Sequence, residues 1–329
     1  VSAATATAAV TGIGTALPEQ RLTNAELEAR VDTSDEWIVE RTGIRERRVA
    51  APDETTATLG AAAGAAAIKD AGLVPDQIDL LVLATATPEQ PVPSTSAFVQ
   101  DALGLRGGAF DVGAACAGFV YAMVTASALI TTGGVDTALV VGSETLTRIV
   151  DPNDRGTVVI FGDGAGAVVL QRSDTDDTGL LAWDLGCDGS AAALLQVRAG
   201  GSRLPTSAQT VADGAHWLHM EGREVFRRAV RVVVESSTRT LAKAGATVDD
   251  VDWFVPHQAN RRIIDAAARR LGVPTEKVVV NVDRYGNTSA ASIPLALAEA
   301  PLKEGDLVLL SGFGAGMTWA SALLRWGER

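Results

Sequence analysis

The sequence predicts a layered α/β protein made of two copies of one unit, with two mostly parallel or mixed sheets covered by helices. Three observations point there. Ala-rich stretches of helical character, such as residues 59–70, alternate with short Val/Leu runs that read as buried strands. The segment Asp70-Ala71-Gly72, followed by Gln77-Ile78-Asp79-Leu80-Leu81-Val82, recurs as Lys243-Ala244-Gly245 followed by Asp250-Val251-Asp252-Trp253-Phe254-Val255, at an offset of 173 residues. No Pro/Ser-rich or low-complexity linker separates the copies, the nearest candidate being the polar stretch 171–179. The halves are therefore expected at residues 1–172 and 173–329, packed as one unit. Functional groups should gather where strand ends of the two halves face each other.

Along the chain, each half reads in the same order. The helix ending at Asp70 closes on Gly72, a C-cap glycine, and a strand follows from Leu80. Phe110-Asp111-Val112 is an apolar strand that gives way to the small residues Gly113-Ala114-Ala115, then Cys116, then a helix-like stretch. Residues 138–142 form the apolar strand that closes this pattern. A strand at 157–161 is expected to enter Gly162-Asp163-Gly164-Ala165-Gly166-Ala167. That run lacks both dinucleotide-fingerprint spacing and the Lys-Ser/Thr of a P-loop, and it reads as a tight structural turn. In the second half, Gly245 closes the helix, and residues 253–255 form the strand. Residues 278–280 lead to Gly286-Asn287-Thr288-Ser289-Ala290-Ala291-Ser292, where the constant offset places Ser289 opposite Cys116, and residues 307–311 close the half.

Bulk properties bound the function. At 34.0 kDa and 47% hydrophobic residues the chain can bury a large core. A net charge of -12 argues against general affinity for nucleic acid or an anionic membrane, so an acidic partner must dock on a local basic patch. Two cysteines, Cys116 and Cys187, make no disulfide framework for a chain of this size, and a reducing cytoplasm is the expected compartment. Val1-Ser2-Ala3-Ala4-Thr5 shows no basic n-region, and no run reaches the roughly 20 apolar residues of a membrane span, so a soluble protein is expected.

Cys116 stands where a strand hands over to a helix, a position whose amides and macrodipole favour a thiolate. His257, in Pro256-His257-Gln258-Ala259-Asn260, follows the second half's strand directly, and Asn287 precedes the turn that corresponds to the Cys116 turn. If the halves pack about a pseudo-twofold axis, all three converge on one cavity. Such a set serves two reactions. In a papain-like arrangement His deprotonates Cys and Asn orients His, giving hydrolysis. In a thioester condensation Cys carries an acyl group, while neutral His and the Asn amide stabilise an enolate. His216 and His219 have no matching ligand cluster, and Cys187 reads as an inert thiol.

Cys116 in Ala-Ala-Cys-Ala-Gly-Phe, His257 in His-Gln-Ala-Asn and Asn287 in Gly-Asn-Thr-Ser-Ala-Ala-Ser resemble the catalytic set of β-ketoacyl-[acyl-carrier-protein] synthase III. The resemblance extends through Asp32-Thr33-Ser34-Asp35-Glu36-Trp37-Ile38-Val39-Glu40-Arg41-Thr42-Gly43-Ile44-Arg45, Asp154-Arg155-Gly156, the Gly162–Ala167 run and Gly312-Phe313-Gly314-Ala315-Gly316, covering nearly the whole chain. It implies the thiolase fold, a duplicated α/β/α/β/α sandwich. It also implies that Cys116 attacks an acyl-CoA, with the amides of Cys116 and Ala315 as oxyanion hole. Malonyl-acyl-carrier protein then loses carbon dioxide, its enolate held by His257 and Asn287, and attacks the acyl-Cys to give a 3-oxoacyl product. No cofactor or metal enters this scheme. The rival within the fold is transfer of the acyl group to an alcohol or amine without decarboxylation, which the intact Asn287 disfavours.

The resemblance further implies binding surfaces. Trp37 and Arg41 would meet the adenine end of CoA, with Arg155 across the tunnel mouth, chemistry suited to flat faces and guanidinium charge. Arg223 stands where the family has an asparagine on the pantetheine side, a departure that bears on CoA or carrier preference. Leu218, Met220, Phe226, Phe161 and Phe313 would line the acyl pocket. The loop Pro91-Val92-Pro93-Ser94 would reach in from a second subunit, implying a homodimer. Val92 replaces the phenylalanine of some members and leaves room for branched or longer starters. Residues 222–270 hold ten Lys/Arg against six Asp/Glu. Arg227, Arg228 and Arg231, then Arg262, Arg269 and Arg270, recur at helical spacing and form the expected docking patch for an acidic acyl-carrier protein.

Overall fold

The computed structural model describes residues 7–174 and 178–327. The N-terminal pentapeptide and part of the 171–179 stretch considered above lie outside the described residues. Strands β1 (Thr7–Ala16), β2 (Leu80–Ala84), β3 (Gly108–Val112), β4 (Thr137–Thr145) and β5 (Asp163–Ser173) form one sheet in the order β1-β5-β4-β2-β3. Strand β2 runs parallel to β3 and β4, whereas β5 runs antiparallel to β4 and β1. The second sheet holds β6 (Gly179–Cys187), β7 (Trp253–Pro256), β8 (Leu307–Gly314) and β9 (Thr318–Arg325) in the order β7-β8-β9-β6. Its pairings repeat the first sheet's sequence: parallel, antiparallel, antiparallel. The fifth position is reduced to a single parallel bridge between Phe254 and Val278, so the apolar run 278–280 contributes one rung.

Seven helices position the site: α1 (Asp35–Thr42), α2 (Thr56–Asp70), α3 (Thr95–Leu103), α4 (Gly118–Thr131), α5 (Gly222–Lys243), α6 (Arg261–Leu271) and α7 (Ser292–Glu299). Helix α4 is apolar on nearly every side because it lies between the two sheets. Its Phe119, Met123 and Ile130 share one core with Val82 and Val140 of the first sheet and Val255 and Leu310 of the second. Helix α2 covers the outer face of the first sheet, and α5 and α6 that of the second. The result is the expected α/β/α/β/α layering, with α4 and α7 in the middle.

Two expectations change. Residues 155–158 form a helical turn rather than a strand, because Asp154 caps it: its carboxylate accepts from Gly156 N at 2.8 Å and Thr157 Oγ1 at 2.7 Å. The 163–167 run is extended in β5, not a turn; its small residues admit α7, and a Cβ on Gly166 would stand 2.8 Å from Pro294 Cβ. The repeat also slips by one residue. Short 3-10 turns at Ala115–Ala117 and Ser289–Ala291 precede α4 and α7, and their first residues share a left-handed φ, 45° at Ala115 and 47° at Ser289. The structural counterpart of Cys116 is therefore Ala290, since the loop before the second turn is one residue longer than a constant offset allows.

Candidate active site

The turn after β3 carries Cys116 to the middle of the molecule, where it is buried with 7% exposure. Strand β8 passes directly beside it. A Cβ on Gly314 would lie 2.5 Å from Cys116 N and 3.0 Å from Ala115 Cβ, so only glycine lets the two backbones approach this closely. Burial pushes the thiol up to about 12 and the Glu144 carboxylate adds to the rise, while the Ser289 hydroxyl and the backbone at Cys116 act against it. The favourable turn position is thus outweighed, and the resting thiol holds its proton.

His257 directly follows β7; its N–H donates to Ser311 O at 2.8 Å, which fixes the backbone. The ring packs edge-on to Phe313, centroids 5.5 Å apart. Nδ1 lies 2.6 Å from Ser292 Oγ, and Gln258 N donates to the same oxygen at 3.3 Å. Among the described residues Nδ1 is the one acceptor in reach of that buried hydroxyl, which assigns the serine hydrogen to Nδ1 and the ring hydrogen to Nε2. The ring is 3% exposed, and burial depresses its pKa to about 3, so it is neutral.

Asn287 is held by strand-like pairing with the first half: its N–H donates to Ile160 O at 2.9 Å and its carbonyl accepts from Gly162 N at 3.0 Å. Oδ1 accepts from Ser289 N at 2.9 Å, which assigns the amide and leaves Nδ2 as the free donor. The neighbouring motif residues serve the scaffold. Gln258 Nε2 donates to Pro256 O and Val279 O, and its Oε1 accepts from Asn281 N. Asn260 caps α6 and donates to Arg41 O at 3.0 Å.

Cys116, His257 and Asn287 line one cavity of about 440 Å³. Its walls include Phe161, Met220, Phe226 and Phe313, and its mouth includes Trp37, Arg41, Arg223 and Arg262. Arg155 lies nearer Trp37 than expected. Its guanidinium stacks 4.8 Å from the indole centroid, with that of Arg41 at 4.9 Å, and it donates to Asp32 O at 2.7 Å.

Other residues fall elsewhere. Leu218 does not line the cavity but packs behind it with Leu146, Val150 and Phe161, because its short strand pairs with residues 195–197. Gly314, the residue before Ala315, lines the cavity, because β8 runs extended past Cys116 before the turn begins. Val92 is 81% exposed and far from enclosure within one chain. Arg227 and Arg228 are not free charges: both pair with Glu224, at 2.6 and 2.8 Å, and Arg228 also with Asp188 at 2.9 Å. Arg262 stacks over Phe226 at the rim, Arg269 borders a separate groove with Arg261 and Asp265, and Arg270 is exposed. His216 meets Thr210 and His219 meets Glu221; among the described residues no cluster of three or more His, Cys, Asp or Glu is placed to hold a metal.

Three site residues escaped the sequence reading. Ser292 sits inside the Gly286–Ser292 run, yet its contact with His257 joins residues 35 apart. Glu144 and Ser289 lie near Cys116; an acid as the one charged residue of the buried β4 was the available signal.

Comparison with known proteins agrees with this geometry. Residues 110–204 match the family model of 3-Oxoacyl-[acyl-carrier-protein (ACP)] synthase III, and residues 241–326 match the model of its C terminal. The beta-ketoacyl-[acyl-carrier-protein] synthase III of Symbiobacterium thermophilum is 54% identical, over 97% of this chain and 98% of that protein. The solved synthase III of Thermus thermophilus superposes with a TM-score of 0.91 at 48% identity, covering 98% of this chain and 100% of that one. The priming beta-ketosynthase of the R1128 polyketide pathway superposes at 0.89 with 39% identity, covering 98% and 96%. At this likeness over nearly the full length, the chain belongs to the β-ketoacyl-[acyl-carrier-protein] synthase III family.

Proposed function

We propose that this acyltransferase-class enzyme condenses an acyl-CoA starter with malonyl-acyl-carrier protein, releasing carbon dioxide and giving the 3-oxoacyl-carrier product that begins a fatty-acid or polyketide chain. The observation that carries the reading is a buried thiol sharing one cavity with two neutral hydrogen-bond donors, His257 Nε2–H and Asn287 Nδ2–H. A thiol protease pairs Cys with a basic imidazole, whereas this imidazole is too desolvated to act as a base near neutrality. Neutral donors suit an enolate oxygen.

In the first half-reaction Cys116 attacks the thioester carbonyl, and CoA leaves. The backbone crossing at Cys116 and Gly314 supports an oxyanion hole there, with the following Ala315 amide as second donor. In the second, malonyl loses carbon dioxide and its carbanion attacks the acyl-Cys. Loss of carbon dioxide drives the step without a strong base.

The Trp37, Arg41 and Arg155 stack supports the nucleotide end of CoA binding at the mouth, with Arg223 on the pantetheine side. A purine would displace Arg155 from the indole face. Met220, Phe226, Phe161 and Phe313 supply the acyl wall. Exposure of the apolar Val92 supports pairing with a second copy, whose Val92 would complete that wall. Among the described residues no helix is long and apolar enough to cross a membrane. Both thiols are free, which supports a reducing, cytoplasmic setting.

Intact-mass analysis after exposure to a panel of acyl-CoAs tests the reading. Wild type gains one acyl group, mapped to Cys116, and adding malonyl-acyl-carrier protein discharges it as a 3-oxoacyl product. Cys116→Ala gains none. An acyl group lost to water or to an alcohol instead would reject condensation.

A further inference from the structure

Attack by Cys116 leaves one proton without an obvious acceptor. The thiol is protonated at rest, and His257 has Nδ1 engaged by Ser292 and carries its hydrogen on the other nitrogen. Beneath the thiol stands Glu144, fully buried at the end of β4. It accepts from Thr87 Oγ1 at 2.6 Å, Thr85 Oγ1 at 3.1 Å, Ala86 N at 3.0 Å and Ala290 N at 3.3 Å. Among the described residues, all of these donors are neutral, and no cation forms an ion pair with it. Ser289 links the two groups. Its buried hydroxyl makes no hydrogen bond at rest, while its turn packs against both the Cys116 turn and the end of β4, where the next residue, Ala290, donates to Glu144. The residue is also held at φ 47°, a left-handed conformation that favours glycine, with its N–H bonded to Asn287 Oδ1. A strained, unsatisfied serine between a buried thiol and a buried acid needs a reason.

We infer that Ser289 and Glu144 form a proton relay and store for Cys116. As sulfur bonds to the thioester carbon, its S–H bond breaks; that proton passes to Ser289 Oγ while the serine O–H proton passes to a Glu144 oxygen. The bond to the CoA sulfur then breaks, and the departing CoA thiolate takes a proton from solvent. During condensation the acyl–Cys116 bond breaks, the sulfur leaves with the electron pair, and Glu144 returns the stored proton through Ser289. One solvent proton is consumed per turnover, and Glu144 ends as it began. The titratable groups facing this path are Cys116, Glu144 and the neutral His257. In this relay Ser289 takes the proton from sulfur directly, whereas Glu144 acts through it.

The inference rests on Cys116 being the acyl carrier, and the test separates the two. Acyl-Cys116 formation from acetyl-CoA is followed by rapid-quench intact mass in the full chain, across pH and in mixtures of light and heavy water. Wild type should show a solvent isotope effect with a curved proton inventory, the sign of two protons in flight. Ser289→Ala and Glu144→Gln should slow acylation about 10²-fold, within the range for a lost proton-transfer group, and shift the pH profile towards alkali. Ser289→Gly guards against misfolding: its φ suits glycine, so thermal stability should hold while acylation falls. Acylation at the wild-type rate and pH profile in these variants, or a loss of rate with an unchanged inventory, would overturn the relay. Absence of acyl-Cys116 in wild type itself would overturn the carrier reading instead.

Discussion

Burial sets the protonation of Cys116 and His257 inside the cavity, in opposite chemical senses. It keeps the Cys116 proton on and the His257 proton off. For His257 the consequence for stability has a definite sign. The unfolded imidazole takes a proton below about 6.5 while the folded one stays neutral to about 3, so the unfolded state binds more protons between these values. Stability should fall as pH drops through that window. His257→Asn removes this contribution, and its melting temperature should decline less steeply with acid than that of wild type. Parallel slopes in calorimetric scans would contradict the neutral, buried imidazole.

At the scale of elements, the site is made by close backbone crossings that only glycine permits. A Cβ on Gly142 of β4 would lie 2.3 Å from Ala290 O, where the first sheet meets the second half's turn, just as Gly314 of β8 meets the first half's turn. Strand register makes Gly312 the counterpart of Gly142, and a Cβ there would lie 3.1 Å from Cys116 O, so each half supports the other's turn. Gly142→Ala and Gly314→Ala are both expected to cost about 1–3 kcal/mol as overpacked sites. They should differ in activity: Gly314→Ala, beside the Cys116 amide, should lose acylation out of proportion to its stability loss. Equal ratios of acylation rate to folded fraction in the two variants would dismiss a role for that crossing in catalysis. Short capped turns complete the device, as with Asp154 before the wall residues 156–161 and Asn260 before α6.

For the whole molecule, the acidic net charge makes the location of unpaired basic residues decisive for an acidic partner. Glu224 and Asp188 neutralise Arg227 and Arg228, which moves the expected docking surface towards α6. Seven residues separate Arg262 from Arg269, about 10 Å along a helix, a span suited to one face of a small helical partner. Arg262→Glu combined with Arg269→Glu should weaken apparent affinity for malonyl-acyl-carrier protein roughly tenfold at low salt, and the difference from wild type should shrink as salt rises. Arg227→Glu should have a smaller effect. A titration in which Arg227→Glu costs more than the α6 pair would return the patch to α5.

The duplicated, layered architecture is legible in the sequence, because helix caps, apolar strand runs and the spacing of the two copies are local patterns that repeat. The sequence also singled out Cys116, His257 and Asn287, since each ends or follows a recognisable element. Tertiary structure alone decided what these residues can do. Protonation depends on burial, the hydrogen on His257 depends on a serine 35 residues away, and Glu144 meets the site across 146 residues at Ala290. It likewise moved Leu218 behind the cavity, put Gly314 rather than Ala315 against Cys116 and tied up Arg228. Such effects arise from distances and solvent exclusion between segments far apart in the chain, which periodicity and spacing do not encode.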